Sequence, residues 1–293
     1  MEQHYKGKIE ENVDNLKTNL IFENNLFIND GLDNTFEYRN MHFERCTFSK
    51  VSFKDIKMKN IEYNHCVFIE CYFKNTVLNK IDFSNCTFIK CGFHNVNITD
   101  TCFFYTEWES TFIKFEELFD CLPKIYNYRT RLCKTMARNC LDDGNIVEYR
   151  KYFFEVKRAS EDKYKEIILR RKKYYREKYN VYDSIKYLFK FIFSKINGLV
   201  WGYGEKIQNV LYSSCFVIFV FSILYQSDSQ ISNLKSNNYL SALYVSICNF
   251  LTISSDITFH DLYFKYLAAL EGFLGLAFMG FFIAALFRNV NSR

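Results

Sequence analysis

The chain has almost no proline and little glycine: a single Pro, at position 123, and 10 Gly among 293 residues. Proline therefore does not mark the loops, and element boundaries have to be found from periodicity. No glycine-rich phosphate loop, no nucleophile paired with a base and no metal cage stands out, so catalysis is not expected. The five histidines, His4, His42, His65, His94 and His260, show no ligand spacing, and no cofactor is expected. Residues 1–15 are polar and lack the apolar core of a signal peptide. The 11 cysteines would suggest disulfides in a short secreted chain. Without a leader, the first half is expected in the cytoplasm with its thiols reduced.

What the chain has in abundance is aromatic: 32 Phe and 22 Tyr. Such residues favour half-buried strands and membrane contact. The net charge of +5 is mild and fits either nucleic acid or a cytoplasmic membrane surface. Hydropathy is uneven, with a polar first half and a strongly apolar last third. The abundance of Asn, Lys, Ile, Phe and Tyr fits an AT-rich bacterial genome.

Between 36 and 113 a register of five runs without a slip. Tyr38, Phe43, Phe48, Phe53, Met58 and Tyr63 begin a series of large apolar residues that continues to Phe103, Trp108 and Ile113. Two positions earlier stand Cys46, Val51, Ile56, Ile61, Cys66 and Cys71, then more Cys, Thr, Val and Ile up to Thr111. The other three positions are mostly polar. Neither a helix nor a flat strand gives period five, whereas a solenoid of short repeats does, because each repeat buries its face against its neighbours. The pattern resembles the pentapeptide-repeat family, with Phe in place of the usual central Leu and Cys, Val, Ile or Thr in place of the usual Ala. The resemblance implies a right-handed quadrilateral β-helix over 36–115 with four repeats per coil, preceded by a lead-in or cap at 1–35. It also implies a rigid assembly or interaction module open to a cytoplasmic protein partner. The spacings Cys66/Cys71 and Cys86/Cys91 admit a metal reading, but zinc sites more often use two to four intervening residues; the other reading makes the thiols small core fillers. His42, His65 and His94 fall at outward positions.

Residues 116–204 read as a basic helical connector. Leu132, Met136 and Cys140 share one helical face, a turn follows at 142–145, and Tyr149, Tyr152, Phe153 and Val156 stripe a second helix. Lys163 to Lys178 is rich in Lys and Arg interleaved with tyrosines. Basic residues with aromatics suit single-stranded nucleic acid. No nucleic-acid fold surrounds them, and a solvated face near anionic lipid is the preferred reading. Over 182–200, Lys186, Lys190 and Lys195 punctuate an apolar pattern that suits an amphipathic helix at a membrane interface. Gly198, Gly202 and Gly204 break it, and Trp201 and Tyr203 fit the headgroup level.

Residues 205–293 form the apolar end. The stretch 210–225 carries no charge, and 266–287 carries one ionisable group, Glu271. The first is slightly short of the roughly 20 residues of a membrane span and the second is long enough. Lys and Arg crowd before the first and follow the second at Arg288 and Arg293, so both termini are expected to be cytoplasmic in an inner-membrane protein. Between the spans, 239–251 is a half-length helix candidate, followed by Thr252, Ile253, Ser254, Ser255 and Asp256.

That order resembles the two-transmembrane potassium-channel-like family. Gly-Tyr-Gly-Glu at 202–205 and Leu-Glu-Gly-Phe-Leu-Gly-Leu at 270–276 also resemble family segments. The resemblance implies a re-entrant pore helix, a filter whose carbonyls replace ion hydration, and four chains around one axis. Thr252 and Ile253 match the first filter positions and Asp256 the outer acid, but Ser254 and Ser255 stand where Gly-Tyr-Gly is expected. A wider pathway passing cations such as potassium or sodium is the expectation. Gly272, Gly275 and Gly280 would serve close packing or a hinge. Glu271 either faces the pore or bonds behind the filter, or lies at the outer interface, solvated or bonded to a neighbouring subunit. The favoured function is a homotetrameric cation channel. A non-conducting anchored scaffold and a stress-opened depolarising pore are the alternatives.

Overall fold

A computed structural model describes residues 8–12, 16, 21–28, 31–227, 238–253, 259 and 261–291. The described chain divides into two compact units, 1–178 and 179–293, so the basic segment 116–204 is shared between them.

The first unit is a β-solenoid of pentapeptide repeats. Its strands pair in parallel at a constant offset: Lys57 with Val77 and Val77 with Asn97 on one wall, Val67 with Thr87 and Thr87 with Glu107 on another. The offset of twenty is four repeats of five, one coil. The central residues point inward and stack in columns. Phe48, Phe68 and Phe88 lie face to face at 4.9 and 4.8 Å between ring centroids, and Trp108 continues the column at 4.3 Å. Each ring also meets its neighbour around the coil edge-on, as Phe83 does Phe88 at 5.3 Å. Stacked and edge-on pairs add about 0.5–1.5 kcal/mol each beyond the apolar area they bury.

The choice of Cys or Thr two positions before the ring has a physical basis. The thiol of Cys66 donates to the Phe43 carbonyl at 3.3 Å, that of Cys86 to Tyr63 at 3.2 Å, and that of Cys91 to Phe68 at 3.4 Å. Thr76 Oγ1 donates in the same way to Phe53 at 2.6 Å. A small side chain therefore fills the core and also bonds the preceding coil. Burial pushes the Cys66 and Cys71 thiols well above their ordinary range.

The corners are turned without glycine. A left-handed residue recurs every five positions from Asn40 through Arg45, Lys50 and Asp55 to Ser110, with φ between 46° and 58° and no glycine among them. Such a residue costs about 1–2 kcal/mol, least for Asn and Asp. Side-chain ladders run along the corners: Asn95 donates to Asn75 and Asn75 to Asp55, both at 2.8 Å.

The solenoid starts earlier than the register at Tyr38 indicates. Phe22 stacks under Phe43 at 5.1 Å and Phe27 under Phe48 at 4.9 Å. Here the strands are offset by 21 residues rather than 20, as Phe22 with Phe43 and Phe27 with Phe48. One inserted residue hides these turns from a fixed count of five. The strands Ile21–Glu23 and Asn25–Ile28, inside the segment 1–35 expected to lead in, thus belong to the solenoid.

At the other end two helices lie over the last coil: α2 (Tyr126–Asp142) and α3 (Ile146–Leu169), after a short α1 (Phe115–Leu118). Asn145 caps α3 by accepting from the Glu148 N–H. Leu132, Cys133, Met136, Cys140 and Tyr152 join the solenoid core. Asn139 Nδ2 donates to the Thr111 and Trp108 carbonyls at 2.6 and 3.3 Å, and the Tyr152 hydroxyl donates to the Ile113 carbonyl at 2.7 Å. Open strand edges invite further pairing, and this hairpin occupies them. A further short helix, α4 (Lys173–Lys178), ends the unit.

The second unit is helical: α5 (Val181–Trp201), α6 (Ile207–Tyr225), α7 (Asn238–Phe250) and α8 (Leu262–Asn291). An Asn180–Asp183 capping box starts α5, and Gly202 ends it in the left-handed region. No residue of α5 is buried; Phe189 and Phe193 stand 68% and 69% exposed beside Lys186, Lys190 and Lys195. Two helical stretches, Ile207–Tyr225 and Leu262–Arg288, are long and apolar enough to cross a membrane. At 1.5 Å per residue they extend about 28 and about 40 Å.

Candidate functional site

The half-length helix α7 packs against both long helices, and a buried polar network ties the three together. Glu271, on α8, is fully buried. The Tyr225 hydroxyl of α6 donates to its Oε2 at 2.7 Å, and Ser246 Oγ of α7 lies 2.5 Å from its Oε1. Ser246 Oγ also stands 2.9 Å from the Ile218 carbonyl, and Asn249 Nδ2 donates to the Tyr225 hydroxyl at 3.3 Å. An acidic group withdrawn from solvent persists only where its oxygens are bonded, and here each has a hydroxyl partner. Both partners come from its own chain, so Glu271 is neither solvated nor dependent on a neighbouring subunit for these bonds.

Apolar contacts flank the network. Phe221, Tyr225, Ala242, Val245, Phe259 and Phe264 form one cluster, and Val210, Phe250 and Phe278 another. Tyr225, Ser246 and Asn249, which build this network, carry no motif that marks them in the sequence. The short helix also carries Asn238 and Ser241, so polarity alone does not mark Ser246 and Asn249 in the sequence.

The three glycines of α8 differ sharply. A methyl group at Gly275 would stand 1.8 Å from the Phe250 carbonyl oxygen, so the end of α7 occupies the place of a side chain. At Gly272 the nearest atom, the Asn249 carbonyl oxygen, would be 3.4 Å away. At Gly280 nothing lies within 4 Å. Of the three, Gly275 makes the close approach.

Thr252 ends α7. Its φ of 58° is unusual for a β-branched residue. The Thr252 N–H bonds the Asn249 carbonyl at 3.1 Å and the Ile253 N–H bonds the Cys248 carbonyl at 2.8 Å, a Schellman pattern with threonine where glycine is usual. Ile253 is exposed. Ser254, Ser255 and Asp256 lie outside the described residues. Among the described residues, no group of three His, Cys, Asp or Glu is placed to hold a metal ion.

Residues 66–103 match the family model described as pentapeptide repeats, in eight copies. Among curated proteins, none matches the chain. Two solved structures are similar over part of the chain, both trypsin-treated forms of QnrB1, described as a plasmid-mediated fluoroquinolone resistance protein. They are 14% and 16% identical, with TM-scores of 0.20 and 0.17. Each match covers 29% of this chain and 63% or 64% of the other, less than two thirds of its length. The chain carries a pentapeptide-repeat β-solenoid joined to a helical unit with two long apolar helices.

Proposed function

We propose that the helical unit is a membrane pore domain of the potassium-channel-like kind, and that four copies enclose a cation pathway. The observation that carries this reading is the place of α7. A helix of 13 residues is too short to cross a bilayer, yet it is held between two span-length helices by Glu271, Ser246 and the Gly275–Phe250 contact. A re-entrant segment needs such support, because irregular backbone at membrane depth must be packed against protein or line a hydrated cavity. Within the chain only 17% and 22% of the two apolar windows is buried, which leaves their outer faces for lipid or for neighbouring copies.

On this reading α5 lies along the cytoplasmic interface, with its lysines toward anionic headgroups and its phenylalanines toward the acyl chains. The termini are cytoplasmic, the membrane is the inner one, and the solenoid assembles the tetramer or receives a signal from a protein partner. Segment 252–256 departs from a glycine-containing filter, so the pathway passes both potassium and sodium.

Ion flux from proteoliposomes tests the proposal. Potassium and sodium should both exchange, with current steps in planar bilayers. Absence of flux from a correctly inserted tetramer would leave the non-conducting anchored scaffold. Strong potassium selectivity would overturn the open-filter reading.

A further inference from the structure

The end of α8 is held by a contact absent from the network around Glu271. Glu205 follows the short turn Gly202–Gly204, and its side chain is 4% exposed. Glu205 Oε1 lies 2.7 Å from Nη2 of Arg288, in the last turn of α8. The turn is shaped for this approach. Gly204 has a φ of +88°, and a methyl group there would stand 3.3 Å from Arg288 Nη1. Two helical turns earlier on α8, the Phe281 ring packs 4.8 Å from Trp201. Trp201 Nε1 donates to Asn197 Oδ1 at 3.0 Å, one turn back on α5. The start of α6 is tied to the same elbow, since Asn209 Nδ2 donates to the Gly198 and Leu199 carbonyls at 3.3 and 3.2 Å.

We propose that Glu205 is a positioning residue: with Trp201 it clasps the end of α8 to the elbow between α5 and α6, so that the end of α8 moves only with α5. The consequence for conduction rests on the channel reading above, in which the end of α8 borders the cytoplasmic mouth. The physical reason is the burial of Glu205. A carboxylate withdrawn from water is tolerable when an arginine faces it and costly when that arginine leaves, so separation of the two elements is opposed. An interfacial helix that feels lipid is thereby linked to the segment whose position sets the width of the mouth, and a shift in either biases the same two-state element.

The test uses the full chain in lipid nanodiscs and in planar bilayers. In Glu205→Gln, backbone amides in the final turns of α8 should exchange about tenfold faster than in the parent while those of α7 keep their rate, since local opening is then no longer opposed by the pair. In bilayers the same variant should keep its unit conductance and change its open probability. The charge swap Glu205→Arg with Arg288→Glu should restore both readouts, whereas each reversal alone should not. If Glu205→Gln does not accumulate, Arg288→Gln reports the same contact from the exposed side. Exchange within twofold of the parent in the single variants, or a swap no better than its single reversals, overturns the clasp. If the parent passes no current, the channel reading fails and the exchange measurement still decides the clasp.

Discussion

In the solenoid unit Phe48, Phe68 and Phe88 are at most 1% exposed, while in the helical unit Phe216, Phe273 and Phe287 stand 66–69% exposed. The residue type is the same and its surroundings are opposite. In the first unit the coil supplies the apolar environment, ring upon ring, and polar side chains face outward. In the second, the three helices bury one polar network and turn their apolar faces away from it. The first unit covers its phenylalanines with its own chain, and the second leaves several of them uncovered by its own chain.

The contrast can be broken at its strongest point first. Phe68→Ala removes a fully buried ring packed between two others and should lower the unfolding free energy by about 3–5 kcal/mol. Phe273→Ala, on the outward side of α8, should change it by less than about 0.5 kcal/mol. Denaturant titration of the full chain in detergent compares the two.

Next comes the seat of α7. Gly275→Ala should displace α7 and cost at least about 1–3 kcal/mol, and on the proposed channel reading it should also lower ion flux, because a carbonyl oxygen occupies the place of the new methyl. Gly280→Ala should leave stability within about 0.5 kcal/mol of the parent. Equal effects at the two positions would show that α7 does not pack on α8 as described.

Glu271→Ala removes the acceptor of the Tyr225 hydroxyl while Ser246 keeps the Ile218 carbonyl, a loss of about 1–3 kcal/mol; Glu271→Gln, which keeps an acceptor for Tyr225, should lose less. Thermal unfolding in nanodiscs ranks the pair. In the solenoid unit Asn139→Ala frees the Thr111 and Trp108 carbonyls and should cost about 1–2 kcal/mol, visible as faster amide exchange confined to the last coil.

The last effect is set by pH. Burial pushes the Cys133 and Cys140 thiols up to about 12. Unfolded thiols ionise near 8.5, so above that value the unfolded chain binds fewer protons than the folded one. Their contribution is complete below about 8.5 and is lost as pH rises toward about 12, so the first unit should weaken over that window. A midpoint independent of pH between 8 and 11 would contradict it.

The solenoid was largely legible because its signal is local. Every ring and every small residue recurs at a fixed spacing, and the strand pairs follow that spacing directly. The first coils escaped because one inserted residue shifts Phe22 and Phe27 out of the count. The hairpin of α2 and α3 was visible as a pair of helices, but not as the lid of the coil, since Asn139 and Tyr152 find carbonyls far away in the chain. At the candidate site Glu271 and the three glycines stood out as unusual residues in an apolar run. Their roles did not: Gly275 and Gly280 look alike in sequence and differ completely in what lies beside them.

The sequence by itself determined the coil of five-residue repeats, the two apolar lengths and the short helix between them, because each follows from periodicity or composition within a continuous stretch. Only the tertiary structure decided where the coil begins and what closes it, which hydroxyls hold Glu271, and that Glu205 meets Arg288. Those are pairings between distant segments, and a hydrogen bond or ion pair is set by the meeting of two backbones rather than by the spacing within either.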